Sequence, residues 1–111
     1  MKSSPACCRV ASKTAQPLVP ASPAVVKRRA NVLKALGHPS RIRILELLSQ
    51  GETCVCDIAP VVGSDMSTVS RHLSVLRQAG IIEDDKRGLK VFYRLVMPCV
   101  LDFFHCIDQG E

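Results

Sequence analysis

The chain has no tryptophan, and only three Phe and one Tyr among 111 residues. All four aromatics (Phe92, Tyr93, Phe103 and Phe104) lie near the C-terminal end, so the core ahead of them must be aliphatic. No run approaches the ~20 apolar residues of a membrane span. The N-terminus lacks a contiguous apolar stretch of the signal-peptide kind, because Ser, Lys, Gln and Pro interrupt it throughout; a cytoplasmic location is expected. There is no Cys-x-x-Cys, no phosphate-cradling glycine loop and no alternation of strands with helices. These absences speak against a thiol oxidoreductase, a small reductase or any other enzyme.

What is present is a globular composition, 47% hydrophobic and 23% charged, with a net charge of +5. The length suits one domain, whose core is marginal alone and would gain from a dimer interface. The positive balance is compatible with a polyanionic partner. Six cysteines, Cys7, Cys8, Cys54, Cys56, Cys99 and Cys106, point in a reducing compartment to metal binding or redox chemistry rather than structural disulfides.

Residues 1–23 hold Pro5, Pro17, Pro20 and Pro23 among Ser, Ala, Thr and Lys, and read as a flexible arm carrying Cys7-Cys8. Residues 24–111 read as the folded domain. Pro23 suits a first helical turn, Val25, Val26, Ala30, Leu33 and Leu36 recur near helical spacing, and Gly37 stops the run. Pro39 opens a second helix with Ile42, Leu45, Leu47 and Leu48 on its apolar side. "TCVCDIAPVVG" is a third, short helix. A fourth follows, with a Ser64 cap, Asp65 in its first turn and Met66, Val69, Leu73 and Leu76 as its stripe. "IIEDDKRGLKVFYRLV" then reads as a β-hairpin whose charged tip is "DDKRG", with Gly88 in the turn. "PCVLDFFHCIDQ" returns to helical spacing. The class expected is mainly α with a β-hairpin wing, a winged helix-turn-helix arrangement.

On the polar face of the fourth helix, Ser64, Ser67, Thr68, Ser70, Arg71 and His72 are short or cationic. Such a helix can approach a groove floor and offer donors to phosphates or base edges. Lys86, Arg87 and Lys90 on the hairpin suit backbone phosphates or a minor groove. Each element alone is also what a solvated surface looks like. Their adjacency, behind a short helix and with a positive charge balance, points to double-stranded DNA.

"ALGHPSRIRILELL", "ETCVCDIA", "STVSRHLSVLRQAGII" and "RGLKVFYRL" together resemble the ArsR/SmtB family of metal-sensing bacterial repressors, over about residues 25 to 108. The resemblance implies a homodimeric winged helix-turn-helix protein joined through its first and last helices. It also implies operator binding in the metal-free state and release when an inducer ion binds.

Thiolates are soft ligands and suit arsenite, antimonite, cadmium, lead or zinc. Arsenite takes three thiolates; cadmium or lead takes three or four. Residues two apart on a regular helix point about 200° apart, so Cys54 and Cys56 are expected to share an ion only if the start of the third helix is frayed or distorted. The resemblance makes both of them inducer ligands. Family members with all three thiolates in this helix place the third five residues after the first, where this chain has Ala59. The third thiolate must come from elsewhere. The resemblance offers Cys7 or Cys8 of the arm, as in the cadmium/lead sensors. Cys99 and Cys106 of the last helix, seven apart and hence on one face, are the second choice. The resemblance implies that the zinc site of the family's last helix needs two ligand pairs, an Asp-x-His and a His-x-x-Glu; this chain has Asp102 with His105 and no second pair, so that site is expected to be absent. As(III) or Sb(III) is the preferred inducer and Cd(II) or Pb(II) the alternative. A thiol-redox repressor of the same fold, and a constitutive DNA binder with incidental cysteines, remain as competing readings.

Overall fold

A computed structural model describes residues 16–110, and Cys7 and Cys8 lie outside the described residues. Residues 22–96 form one compact unit; residues 97–110, with 16–21, belong to a second.

In the larger unit, Ser22 caps α1 (Pro23–Leu36) by accepting from the Val25 amide, and Pro23 takes the first helical position, where no donor is needed. The Nδ1 of His38 accepts from the Ser40 amide at 3.0 Å and so caps α2 (Pro39–Leu48). Then come β1 (Thr53–Cys54), α3 (Val55–Val62), α4 (Met66–Gln78), β2 (Ile82–Arg87) and β3 (Lys90–Leu95). The sheet is antiparallel in the order β1-β3-β2. The second unit carries α5 (Cys99–Gln109). The described residues are thus mainly helical with a small wing sheet, as the hydrophobic periodicity predicts.

The core is aliphatic. Ile44, Leu45, Ile58, Leu73, Leu76 and Ile81 are fully enclosed, and no aromatic is among the buried residues described. Each such side chain contributes about 1.5–3 kcal/mol on burial, so this cluster holds the two middle helices, α4 and the start of β2 together.

Four expectations are corrected. Thr53 and Cys54 are not helical: they pair with Tyr93 and Phe92 of β3, because extended backbone there completes the sheet edge. The cap of α4 is Asp65 rather than Ser64; aspartate is an equally good cap, and its carboxylate engages hydroxyls in the first turn. The charged residues Asp84 to Arg87 form strand rather than tip, opposite Tyr93, Phe92, Val91 and Lys90. The tip is the two-residue loop Gly88-Leu89, whose first position needs the positive φ of Gly88, +62°. Finally, most of the α1 stripe is exposed: Val25, Val26 and Leu33 lie open, and only the last-turn Ala35 and Leu36 are buried.

Leu73→Ala, in the enclosed core, should cost about 2–5 kcal/mol in urea unfolding. Leu89→Ala, at a fully exposed tip position, should leave the unfolding midpoint unchanged.

Candidate nucleic-acid interface and thiol pair

α3, a three-residue turn and α4 make the helix-turn-helix. Gly63 turns the chain at φ +77°, its amide closing on Ala59 O at 3.0 Å. Asp65 then receives hydrogen bonds from Ser67 Oγ at 2.5 Å and Thr68 Oγ1 at 2.7 Å. These hydroxyls, Ser67 first, hold the Asp65 carboxyl at about 2. With their protons committed to Asp65, the two hydroxyls are left as acceptors, which suits amino groups better than phosphates. Ser70 and Arg71 are exposed, and Ser64 is half-buried. His72 is not on this face. It is buried, one helical step from Val69 and Leu76 on the core side, and its expected exposure is corrected.

His72 instead belongs to a node that sequence reasoning missed. Arg41 of α2 donates through Nε to Ala35 O at 2.7 Å, through Nη2 to Lys34 O at 3.3 Å and through Nη1 to His72 Nδ1 at 3.1 Å. The first two acceptors are at the C-terminal end of α1; the third is on α4. One guanidinium therefore ties α1, α2 and α4 together. A guanidinium only donates, so Nδ1 accepts and neutral His72 carries its proton on Nε2. The His38 ring lies against it, with centroids 4.5 Å apart. The only sequence signal was a cation set in an apolar helix, two residues after a proline start.

On the wing, Lys86 and Lys90 are exposed, and among the described residues no carboxylate pairs with them or with Arg71. Arg87 differs from its expected role as a free cation. It bonds Glu52 Oε2 at 2.8 Å and Asp85 Oδ2 at 2.9 Å, and its guanidinium lies 4.6 Å from the centre of the Phe92 ring. Its charge is already matched twice.

The cysteine pair gains most from the corrected backbone. Cys54 is the last residue of β1 and the cap of α3, with extended φ/ψ of −72°/144°, whereas Cys56 is in the first turn. This change of backbone conformation brings their sulfurs to 2.9 Å, the Cys56 S–H donating to the Cys54 sulfur. No helix distortion is needed to join them. That hydrogen bond lowers the Cys54 pKa, and Lys90 adds to the effect; the same bond raises that of Cys56. Pro60 lies inside α3 and has no N–H for the Cys56 carbonyl, which therefore lacks its usual helical donor. Cys54 is buried and Cys56 exposed, so the pair opens to solvent on one side. Two adjacent thiols are a donor set suited to soft ions. Among the described residues no group of three His, Cys, Asp or Glu side chains is placed to hold an ion.

In the second unit, α5 carries Cys99, exposed, and Cys106, half-buried, together with Asp102 and His105. No described helix is long and apolar enough to cross a membrane.

Residues 38–84, from the α2 cap to the wing, match the family described as bacterial regulatory protein, arsR family. The chain resembles the solution structure of the homodimeric winged helix-turn-helix DNA-binding domain of a possible ArsR-family regulator from Mycobacterium bovis. The TM-score is 0.70 with 30% identity, covering 85% of this chain and 92% of that one. The chain belongs to the ArsR family. It is a transcriptional regulator of the winged helix-turn-helix type and not an enzyme. Among ArsR-family relatives, it is 43% identical over 67 residues to the CadC-homolog cadmium resistance regulatory protein of Staphylococcus aureus, across 60% of this chain. It is 42% identical over 65 residues to the arsenical resistance operon repressor of Escherichia coli, across 58% of this chain. The matches span 55% and 56% of the length of those two relatives.

Burial first, then the positive fields of His38, Arg41 and Arg71, holds His72 below its ordinary 6.5. The folded chain therefore binds this proton less tightly than the unfolded chain, and stability is lost as pH falls below that value. Urea unfolding between about pH 7 and about pH 5 should show this loss, and His72→Gln should show less of it.

Proposed function

We propose that this regulator is a repressor that binds double-stranded operator DNA as a homodimer and leaves it when Cys54 and Cys56 bind a soft ion. As(III) or Sb(III) is the first choice of inducer. The observation that carries the reading is the 2.9 Å approach of the two sulfurs at the β1–α3 junction. Cys54 and Cys56 supply two thiolates; Cys7 or Cys8 of the arm (residues 1–23) supplies the third, with Cys99 or Cys106 as second choice. An arm cysteine beside this pair makes three donors without recruiting a carboxylate or imidazole, which favours arsenite. The arsenical-resistance and cadmium-resistance relatives support both this choice and its alternative, Cd(II) or Pb(II).

DNA is read by Ser64, Ser67, Thr68, Ser70 and Arg71 from α4, with Lys86 and Lys90 of the wing on phosphates. Arg87 joins them through Nη1, while its Nε and Nη2 stay on Asp85 and Glu52. His72 acts from behind, through Arg41. The exposed apolar residues of α1, Val25, Val26 and Leu33, and those of α5, Phe103 and Ile107, suit burial against a second copy. The ligand site works with reduced thiols and so in the cytoplasm.

The closeness of the thiols also favours a second reading, in which oxidation to a disulfide replaces ion binding as the signal. Release by peroxide without any ion, reversed by a reductant, would identify it.

Operator affinity of the reduced protein, followed by fluorescence anisotropy, should fall on adding arsenite. Cys54→Ser/Cys56→Ser should abolish the response, and Cys7→Ser/Cys8→Ser should abolish it as well. A response that survives loss of the arm cysteines moves the third thiolate to Cys99 or Cys106. Arg71→Ala should weaken operator binding by about 1–3 kcal/mol and relax preference at one base position; Lys86→Ala should weaken all sequences alike and flatten the salt dependence.

A further inference from the structure

The thiol pair is wired to the wing as directly as to the recognition helix. Cys54 lies opposite Phe92 in the β1–β3 ladder, and opposed residues of an antiparallel pair project from the same face of a sheet. Arg87 of β2 covers the Phe92 ring at 4.6 Å. The same guanidinium is held at 2.8 Å by Glu52, two residues before Cys54 and immediately ahead of β1. A closed circuit results: Glu52 to Cys54 along the chain, Cys54 to Phe92 across the ladder, Phe92 to Arg87 through the ring, and Arg87 back to Glu52 through the ion pair.

This circuit passes through the wing end that meets DNA. β1 is only two residues long, so its hold on β3 depends on few backbone bonds. The Glu52–Arg87 pair is the one ion pair among the described residues that ties the segment before β1 to the wing. Glu52 is also the more shielded partner, its side chain 29% exposed against 48% for Arg87.

We propose that Glu52 is a positioning residue that transmits the state of the Cys54–Cys56 pair to the DNA-binding wing through its ion pair with Arg87. A change at Cys54 moves the segment 52–54 as a unit. Glu52 then shifts against Arg87, and the wing cation is re-aimed away from its phosphate. Among the described residues the Glu52 side chain bonds Arg87 and neither thiol. The inference rests on the ion-responsive reading above and specifies how that site is heard by the wing.

The test uses the full reduced chain as wild type, Glu52→Gln and Glu52→Asp, each checked for an unchanged melting profile. Cadmium binding is read from thiolate-to-metal absorbance, and operator affinity from anisotropy with and without cadmium. In Glu52→Gln, cadmium affinity should stay within about twofold of wild type, as expected for loss of a partly exposed ion pair remote from the ion. The factor by which cadmium weakens DNA binding should shrink by about fivefold. Glu52→Asp, which keeps the charge, should recover part of it. An undiminished factor in Glu52→Gln overturns the proposal while leaving the ion-responsive reading intact. Loss of cadmium binding in that variant makes Glu52 a ligand and overturns it too. Where cadmium leaves wild type on DNA and arsenite releases it, the same comparison of release factors is read with arsenite; failure of both ions to release wild type removes the underlying reading, and the transmission role with it.

Discussion

The pairing of Thr53 and Cys54 with Tyr93 and Phe92 is the constraint from which most of the site follows. A two-residue strand contributes little stability of its own. Its effect is geometric: it holds Cys54 in extended backbone until the moment α3 begins. Were the helix to start at Thr53, the two cysteine side chains would diverge by about 200°. Because it starts at Val55, the sulfurs meet. The same pairing places Cys54 in the wing sheet, and α3, which begins at the next residue, packs against α4, so one residue pair borders both the wing and the recognition helix.

The second organising contact is the Arg41 guanidinium, shared between the end of α1 and His72 on α4. Hydrogen bonds to a charged group are worth about 1.5–3 kcal/mol each. Such a bond, part-buried at the rear of α4, anchors the helix that carries Ser67, Ser70 and Arg71. It also joins that helix to α1, whose exposed valines and leucine are suited to a partner copy. Thiol pair, wing, recognition helix and first helix are thus linked by a small number of specific contacts over an aliphatic core.

Much of this was legible in the sequence. α1, α2, α4 and α5 declare themselves by apolar spacing bounded by proline and glycine, and the wing by its change of period around Gly88. β1 was not legible, because two residues carry no periodicity and Cys-Val-Cys-Asp reads equally well as a helix start. The wing tip was misplaced because Asp84-Asp85-Lys86-Arg87 has turn-like composition, while the sheet pairs it strand to strand. His72 was readable in hindsight: positions 69, 72, 73 and 76 follow the i, i+3, i+4, i+7 rule of a buried face, but the polar run Ser70-Arg71-His72 hid it. Arg41 gave only the faint signal of a cation in an apolar helix, and Glu52 gave none, since His72 and Arg87 lie 31 and 35 residues from them.

Preassembly of Cys54 and Cys56 side by side by the fold is the property on which the ion-responsive reading depends. It is tested most directly with a chain in which Cys7, Cys8, Cys99 and Cys106 are all serine, titrated with cadmium under reducing conditions and followed by thiolate-to-metal charge-transfer absorbance. A preassembled pair gives a band that grows linearly and stops at one ion per chain, lost in either single variant, Cys54→Ser or Cys56→Ser. Absence of the band, or its persistence in either variant, would contradict the preassembled pair.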